Sequence, residues 1–442
     1  MRACLALLTA VLWAAPGAAA CADGERGAGE PAELHDALTR LEAAGEFSGA
    51  VVIQDASGTR FARGYGWADP FEGRPFAPDT PVDSASLAKP VTAAIVLSLA
   101  AEGRLDLDAP VVRYLPRYPH ADTRVRELLA HSAGLPGDGA FDTLAGKDNR
   151  ALLDEVVLRG VPPAFTPGSG FAYCNLCYST LALLAEQVTS APYLQLARQR
   201  AALPPGVTLR PARLADWQPR AIGYRRTADG AYARADSDED ERFYGSANLS
   251  VSASQLAAWG ASWWTPALAY VRDRASTAAT ISGSASGLSW GNWYCTADGV
   301  RCHYGGHHAG FRHLLSWDGR RKLSVAMVSN NTLSPRLQAR LQRALLAFAA
   351  DDASTGHREL ALPLGETAPL PGSYRFPDGE AITLDAGAPL QAVVRGGLRY
   401  TAYPVGAGLR YVPGLDVYLS GADDGSLHWL GLHEDLHGMR ME

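Results

Sequence analysis

Lysine is scarce in this sequence. Only three of its 40 basic residues are lysine, namely Lys89, Lys147 and Lys322, so a lysine beside a reactive serine is more informative here than in a lysine-rich chain. Long basic runs are also absent, and the net charge is −6. Because recognition of a phosphate backbone needs clustered lysine and arginine, the composition excludes nucleic acid as a partner.

Long apolar runs are absent after the N-terminal segment, so no membrane-spanning helix is expected in the mature chain. The start itself differs. Arg2 precedes an apolar run over 5–15 and small residues over 17–20, which is typical of an export signal. We expect a signal peptide over 1–20, a flexible Gly-rich leader over 21–31, and a periplasmic or secreted protein.

Cysteine is infrequent, and its six positions suggest an exported protein. They are Cys4, Cys21, Cys174, Cys177, Cys295 and Cys302. Removal of a signal leaves an odd number, and Cys21 stands where bacterial lipoproteins carry their lipidated cysteine, so either lipid attachment to a membrane or plain export is expected. Cys174 and Cys177 form a disulfide or stay as thiols, and we expect Cys295 and Cys302 to pair.

Hydrophobic periodicity predicts an α+β fold. Strands are predicted over 49–53, 60–67, 311–317 and 322–329, and helices over 32–44, 87–101 and 335–350. The middle, 105–285, is mostly helix and loop. Strands from both ends therefore form one antiparallel sheet flanked by helices, with a mostly helical insertion, and this domain spans 32–352.

The tail has a different composition. Residues 353–370 contain Pro and Gly and are predicted to be a linker. Residues 371–442 contain short strand patterns separated by glycine and aspartate. We expect a small all-β, barrel-like domain.

Ser86 and Lys89 stand at the start of the first long helix, followed by Pro90. Positions three apart share a helix face, so both side chains point the same way near its N-terminus. The helix dipole favours negative charge there, and an apolar wall would lower the lysine pKa until it could take the serine proton. Serine and lysine also meet at this spacing by chance, so the pair needs further support.

Tyr173 and Asn175 follow a Gly-rich loop over 167–171 and precede a helix. Alternation along an extended segment sends both side chains to one side and Cys174 to the other. A phenolate near a lysine can act as a base, and an amide can orient a substrate carbonyl. The alternative is a buried tyrosine and a helix-capping asparagine.

Gly305 and Gly306 lie in a predicted strand within residues 302–311. Glycine in a strand marks the close approach of a ligand or another backbone, so this edge could bind substrate and offer an amide to an oxyanion. Four histidines are nearby, but their spacing matches no ligand set and no carboxylate is interleaved, so we expect neither a metal nor a cofactor. They are His303, His307, His308 and His313.

Taken in order, the three sites resemble the serine β-lactamase and penicillin-binding-protein family, closest to its class C β-lactamase and esterase branch. That family has Ser-x-x-Lys, then Tyr-x-Asn, then a strand with Lys- or His-x-Gly. Residues 125–136 resemble the family's helix and His-Thr-Ser-Gly-Leu-Pro turn. The resemblance covers about residues 32–350, and the tail resembles small β modules appended to such hydrolases.

The resemblance implies a role for each residue. Ser86 attacks a carbonyl, Lys89 and Tyr173 share the base role, and Asn175 helps to hold the substrate and the lysine. Water then resolves an acyl-enzyme, while the amide of Ser86 and an amide of the third strand form the oxyanion hole.

The third motif departs from the family pattern. Anchored on the following Gly-Phe pair, it begins at Tyr304, so that Tyr304, Gly305, Gly306 and the amide of His307 bind substrate. Slid by one residue, it begins at His303 and uses the Gly306 amide. We prefer Tyr304. Because tyrosine supplies no cation for the carboxylate of a β-lactam, an esterase or D-amino-acid peptidase is favoured over an efficient β-lactamase.

The sequence therefore predicts a serine hydrolase that acts through an acyl-enzyme on the ester or amide bonds of a small-molecule or peptide substrate. The alternative is a penicillin-binding or peptidoglycan-sensing protein that uses the same cleft without turnover. The sequence indicates no oligomeric state.

Overall fold

The computed structural model describes residues 32–441 apart from 44–45, 142, 212, 227–231, 237–240, 282–283, 309, 332–334, 350–367, 378, 387–389, 395–396, 405–407, 413–416 and 431–434. The predicted signal, Cys21 and most of the predicted linker lie outside these residues. Two units are distinguished: 49–222 with 236–330, and the described parts of 32–48, 223–235 and 331–441. None of the described helices is both long and apolar enough to cross a membrane.

The elements follow one another along the chain with these bounds. The helices are α1 (Ala32–Ala43), α2 (Ala88–Ala101), α3 (Val125–Leu129), α4 (Asn149–Arg159), α5 (Asn175–Thr189), α6 (Tyr193–Arg200), α7 (Ala253–Ser262), α8 (Pro266–Ala275) and α9 (Pro335–Ala349). The strands are β1 (Gly49–Asp55), β2 (Gly58–Tyr65), β3 (Trp67–Asp69), β4 (Arg74–Pro75), β5 (Val82–Asp83), β6 (Thr208–Leu209), β7 (Tyr224–Arg226), β8 (Tyr232–Arg234), β9 (Leu249–Val251), β10 (Ala278–Ile281), β11 (Ser284–Ser289), β12 (Tyr294–Cys295), β13 (Arg301–His308), β14 (Phe311–Asp318), β15 (Leu323–Ser329), β16 (Gly372–Arg375), β17 (Ala381–Asp385), β18 (Leu390–Val393), β19 (Arg399–Pro404), β20 (Leu409–Val412), β21 (Val417–Gly421), β22 (Leu427–Leu430) and β23 (Asp435–Arg440).

A six-stranded antiparallel sheet is the frame of the first unit. Its order is β12-β13-β14-β15-β1-β2, and β1 pairs with β15 from Gly49 opposite Ser329 to Gln54 opposite Ser324. Strands from both ends of this region therefore meet in one sheet. The predicted α+β fold with an inserted, mostly helical segment is confirmed.

Helix α2 lies in the core of the first unit. Every side chain from Ala88 to Leu99 is buried, including Lys89. The helix packs against α5, α6 and α8, and its alanines let these neighbours approach closely. A helix that is apolar on all sides fits only an interior position, so α2 fixes the depth of its first turn inside the protein.

The C-terminal residues form the predicted barrel. Strands β16–β23 pair in sequence, and β23 pairs back with β16, which closes the barrel. Ile382 and Leu384 alternate inward along β17 and join an apolar core with Tyr374 and Leu419. Each described strand of the barrel therefore pairs with a neighbour on both sides.

Both cysteine pairs are closed in the structure. Cys174 is bonded to Cys177 at the start of α5, and Cys295 to Cys302 between β12 and β13. The first bridge therefore borders Tyr173, and the second lies at the edge of the main sheet.

At Gly260, helix α7 packs closely against the sheet. A Cβ atom there would lie 2.2 Å from Ser324 Oγ and 3.0 Å from Leu315 Cδ1. We predict that Gly260→Val lowers the free energy of unfolding by about 2 kcal/mol because the added atoms overpack this contact. Urea unfolding checks this, with Gly137→Val as the control, since Gly137 has open space around it. Equal stability of the two variants would contradict the packing argument.

Candidate active site

Ser86 lies in a 3-10 turn, Ala85–Leu87, that runs directly into α2. Its hydroxyl is in contact with two functional groups. Lys89 Nζ donates to Ser86 Oγ at 3.0 Å, and Tyr173 OH donates to it at 2.8 Å. The first two sequence motifs therefore meet at one oxygen atom.

Lys89 is buried where an ammonium ion is poorly solvated. Its Nζ donates to the carbonyl oxygen of Ser246 at 3.0 Å and lies 4.7 Å from the centre of the Tyr173 ring. Burial lowers the pKa of Lys89 to about 7, and the charge of Asp138 opposes this shift. A neutral amine keeps an N–H donor for the Ser246 carbonyl and has a lone pair that can accept the Ser86 proton.

Tyr173 connects the serine to the third motif. Its hydroxyl lies 2.8 Å from Tyr304 OH as well as from Ser86 Oγ. Burial raises the pKa of Tyr173, and it raises that of Tyr304 well above the usual value. Both phenols therefore stay protonated at neutral pH, so Lys89 is the better base and Tyr173 is suited to relay a proton.

His131 fixes the position of Tyr173. The two rings stack with centroids 4.6 Å apart. The Cys174 amide donates to His131 Nδ1 at 3.0 Å, so the other ring nitrogen carries the proton and donates to Asn292 Oδ1 at 2.9 Å. Burial lowers the pKa of His131 to about 3, which keeps the ring neutral. The sequence contains a recognisable motif around His131, but no pattern in it predicts that His131 stacks on Tyr173.

Asn175 is placed differently from the expectation. Its Nδ2 donates to Asp138 Oδ2 at 2.5 Å, and its Oδ1 is buried without a hydrogen-bond partner among the described residues. The contact to the lysine that was expected of Asn175 is made by the carbonyl of Ser246 instead. Neither Asp138 nor Ser246 was predicted, because no local pattern marks an acid in a short 3-10 turn or a backbone carbonyl.

The edge of β13 is open beyond its first residues. Strand β12 pairs with it only at Cys302 and His303. From Tyr304 onward, no strand covers this edge in the described sheet. A substrate could therefore lie along it.

Backbone alternation decides which amide faces this open edge. Thr296 N donates to Arg301 O, so the backbone groups of Arg301 face the β12 side. Alternate residues of a strand face the same edge, which puts the His307 amide on the open side and the Gly306 amide toward β14. This geometry agrees with a motif that begins at Tyr304.

Gly306 brings β13 against the Ser86 turn. A Cβ atom at this position would lie 2.8 Å from Ser84 O and 3.2 Å from Ala85 Cβ. Any side chain would push the strand and the turn apart. The glycine-rich pattern thus reflects close approach of two backbones, as expected.

The histidines near this strand are separated. His303 stacks on Tyr294, whereas His313 is buried and donates to Asp83 O at 2.7 Å. His308 Nε2 lies 3.9 Å from Glu241. Within the described residues, no group of three or more His, Cys, Asp or Glu side chains is arranged to hold a metal ion.

The sequence matches a known family of proteins. A family model described as Beta-lactamase matches residues 34–349. The chain is 36% identical to the esterase EstB of Burkholderia gladioli over 207 residues, which is 40% of this chain and 53% of that protein. It is 29% identical to penicillin-binding protein 4* of Bacillus subtilis strain 168 over 177 residues, 38% and 39% of the two chains. The matches thus span about half of these relatives or less.

A solved structure has the same fold over nearly the whole chain. It is that of the octameric penicillin-binding protein homologue from Pyrococcus abyssi, with a TM-score of 0.64. The match covers 92% of this chain and 99% of that one, at 18% identity. The likeness extends beyond the residues that the family model matches.

We predict that the reaction of Ser86 with a fluorophosphonate becomes faster as the pH rises through about 7, the pKa of Lys89. Below this pH the amine is protonated and cannot accept the serine proton, so the rate falls about tenfold per pH unit. Rapid-quench labelling with mass mapping to Ser86 measures the rate.

Lys89→Arg is the matched control. Arginine keeps a cation in the same place but stays protonated, so labelling should be roughly a hundredfold slower or worse at every pH. Labelling of this variant at the wild-type rate would show that Lys89 is not the base.

Proposed function

The chain belongs to the beta-lactamase family, and from that premise we propose that it is a serine hydrolase that cleaves ester or amide bonds through an acyl-enzyme on Ser86. The observation that supports this proposal most directly is the pair of hydrogen bonds to Ser86 Oγ, from the buried Lys89 amine and from Tyr173. A nucleophile needs a base within hydrogen-bond reach, and both groups lie within 3.0 Å.

Acylation follows from this arrangement. Neutral Lys89 accepts the proton of Ser86 as Oγ attacks the substrate carbonyl carbon, giving a tetrahedral oxyanion. The carbon then loses its alcohol or amine, which leaves with a proton from Lys89 passed through Tyr173. Ser86 remains as an acyl ester.

The oxyanion is held by backbone amides in this proposal. The Ser86 amide lies in the turn before α2, and the His307 amide faces the open edge of β13. Removal of one such donor typically slows catalysis by a hundredfold or more. Water then attacks the acyl ester with Lys89 again as the base, and the acid product leaves as Ser86 regains its proton.

Two features near the third motif favour substrates that are not anionic, although the charge of Arg312 also acts on His307. Tyr304 stands where a cation would be needed for a carboxylate, and burial lowers the pKa of His303 and, to about 4, that of His307. Both rings are therefore neutral at neutral pH. Asp138 adds a negative charge that acts on Lys89 and Tyr173.

Partly exposed aromatic side chains near Tyr173 supply apolar surface to the cleft. Phe171, Tyr173 and Tyr294 are 43%, 44% and 42% exposed, and the first two both contact the His131 ring. Aromatic faces of this kind bind apolar groups. We therefore favour neutral esters, and D-amino-acid peptides cleaved away from their C-terminal carboxylate, over β-lactams that carry a carboxylate near the reacting carbonyl. The esterase among the relatives supports the same choice.

We also propose that the protein is exported. The support is the signal pattern over 1–20 together with the two disulfides, which persist in oxidising compartments. N-terminal sequencing of the mature protein tests the cleavage and shows whether Cys21 becomes the first, lipidated residue.

We predict steady turnover of a neutral nitrophenyl ester by the wild type and a loss of roughly a thousandfold or more in Ser86→Ala. Ser57→Ala, in the exposed turn between β1 and β2, is the control and should keep full turnover. A single burst that stops after one acylation per protein would favour the non-turnover binding protein. Equal rates in Ser86→Ala would contradict the proposal.

A second prediction concerns charge selectivity. Asp138→Asn should shift the ratio of kcat/KM between a cationic and an anionic ester by about thirtyfold toward the anionic one, since a carboxylate about 4 Å from a unit charge contributes about 1 kcal/mol, with opposite sign, to each ester. Asp216→Asn, an exposed acid paired with Arg213, is the control. An unchanged ratio in Asp138→Asn would mean that this carboxylate does not act on the substrate.

A further inference from the structure

The turn that carries Ser86 contains an alanine in a conformation that alanine rarely adopts. Ala85 has a φ of 46°, in the left-handed region where a Cβ atom crowds the backbone. A free alanine would relax to negative φ and carry the next residue, Ser86, with it. Surrounding contacts must therefore hold this peptide in place.

One buried carboxylate supplies a direct restraint. Asp83 Oδ1 accepts a hydrogen bond from the Ala85 amide at 2.8 Å. This bond fixes the orientation of the peptide that enters Ala85. The carbonyl of Asp83 is held as well, by His313 Nε2 at 2.7 Å.

An arginine holds the carboxylate in turn. Arg210 Nη1 lies 3.1 Å from Asp83 Oδ2 and 3.1 Å from Glu241 Oε2, and the three side chains are 3%, 2% and 8% exposed. Asn248 Oδ1 accepts from the same nitrogen at 3.4 Å. Buried ion pairs contribute little net stability compared with apolar packing, which points to a conformational role for this one.

Glu241, the third member of this buried cluster, also lies near the end of β13. Glu241 Oε2 lies 3.9 Å from Nε2 of His308. His308 follows His307, whose amide faces the open edge of β13. The network thus runs between the Ser86 turn and the end of the strand that carries the other oxyanion amide.

We propose that Asp83, Arg210 and Glu241 are positioning residues that keep Ala85 in its left-handed conformation and so hold Ser86 in line with Lys89 and the oxyanion amides. The inference rests on Ser86 being the nucleophile of the proposed function. None of the three residues touches the reacting atoms. Asp83 acts through the backbone of Ala85, and Arg210 and Glu241 act through Asp83.

The test is a rescue experiment. Asp83→Ala removes the acceptor of the Ala85 amide, and kcat for the nitrophenyl ester should fall about a hundredfold with little change in KM, because the nucleophile is misplaced. Adding Ala85→Gly should restore at least about a tenth of the wild-type kcat, since glycine adopts the left-handed conformation at no steric cost. A general loss of stability would not be rescued by glycine, which makes the unfolded chain more flexible.

A control variant distinguishes the misplacement of Ser86 from a general loss of protein stability. Asp236→Asn breaks another buried pair, between Arg220 and Asp236, and should lower the unfolding temperature without changing kcat. If Asp83→Ala does not fold, Asp83→Leu keeps a similar side-chain shape, also lacks an acceptor for the Ala85 amide, and carries the same expectation. Failure of Ala85→Gly to raise the kcat of a folded Asp83 variant would overturn the proposal.

A readout that needs no activity distinguishes this inference from the proposed function. In crystal structures, Ala85 should have negative φ in the Asp83 variant. Glycine at the same position should return to positive φ in the double variant. A folded Asp83 variant in which Ala85 keeps a φ near 46° would overturn the proposal even if Ser86 is the nucleophile. Absence of Ser86-dependent turnover in the wild type would instead refute the proposed function.

Discussion

The burial of one amine is the constraint on which the site depends. Lys89 is enclosed by α2, Tyr173 and the Ser246 carbonyl, and none of the described carboxylates forms an ion pair with it. Burial lowers its pKa from 10.5 to about 7, which corresponds to roughly 5 kcal/mol against the charged form. The amine in contact with Ser86 is thereby suited to accept a proton at neutral pH.

The other elements of the first unit bury this amine and position the groups that contact it. Helix α2 holds Lys89 because all its other early side chains are buried too. Helix α5 starts just after Tyr173, and His131 stacks on that ring from the neighbouring loop. Gly306 lets β13 lie against the turn before Ser86. Together these elements bring an amine and a phenol to the Ser86 hydroxyl and hold β13 against the turn that precedes it.

Much of this could be predicted from the sequence. Alternation and helical periodicity were enough for the sheet, its helical insertion and the barrel, because burial imposes those patterns directly. The meeting of Ser86, Lys89, Tyr173 and Tyr304 followed from the order of three motifs. The roles of Asp138 and Ser246 could not be predicted, since one acts through a loop and the other through its backbone. The left-handed conformation of Ala85 could not be predicted either, because the contact of its amide with Asp83 exists only in the folded chain.

Direct titration of Lys89 tests the central claim. The sequence contains only Lys147 and Lys322 besides it, so the NMR signals of isotope-labelled lysine can be assigned with the single variant Lys89→Met. We expect one side-chain signal that titrates with a midpoint of about 7 and disappears in Lys89→Met. If the signal lost in that variant instead titrates above pH 9, Lys89 is a cation at neutral pH and the account of Ser86 activation is wrong.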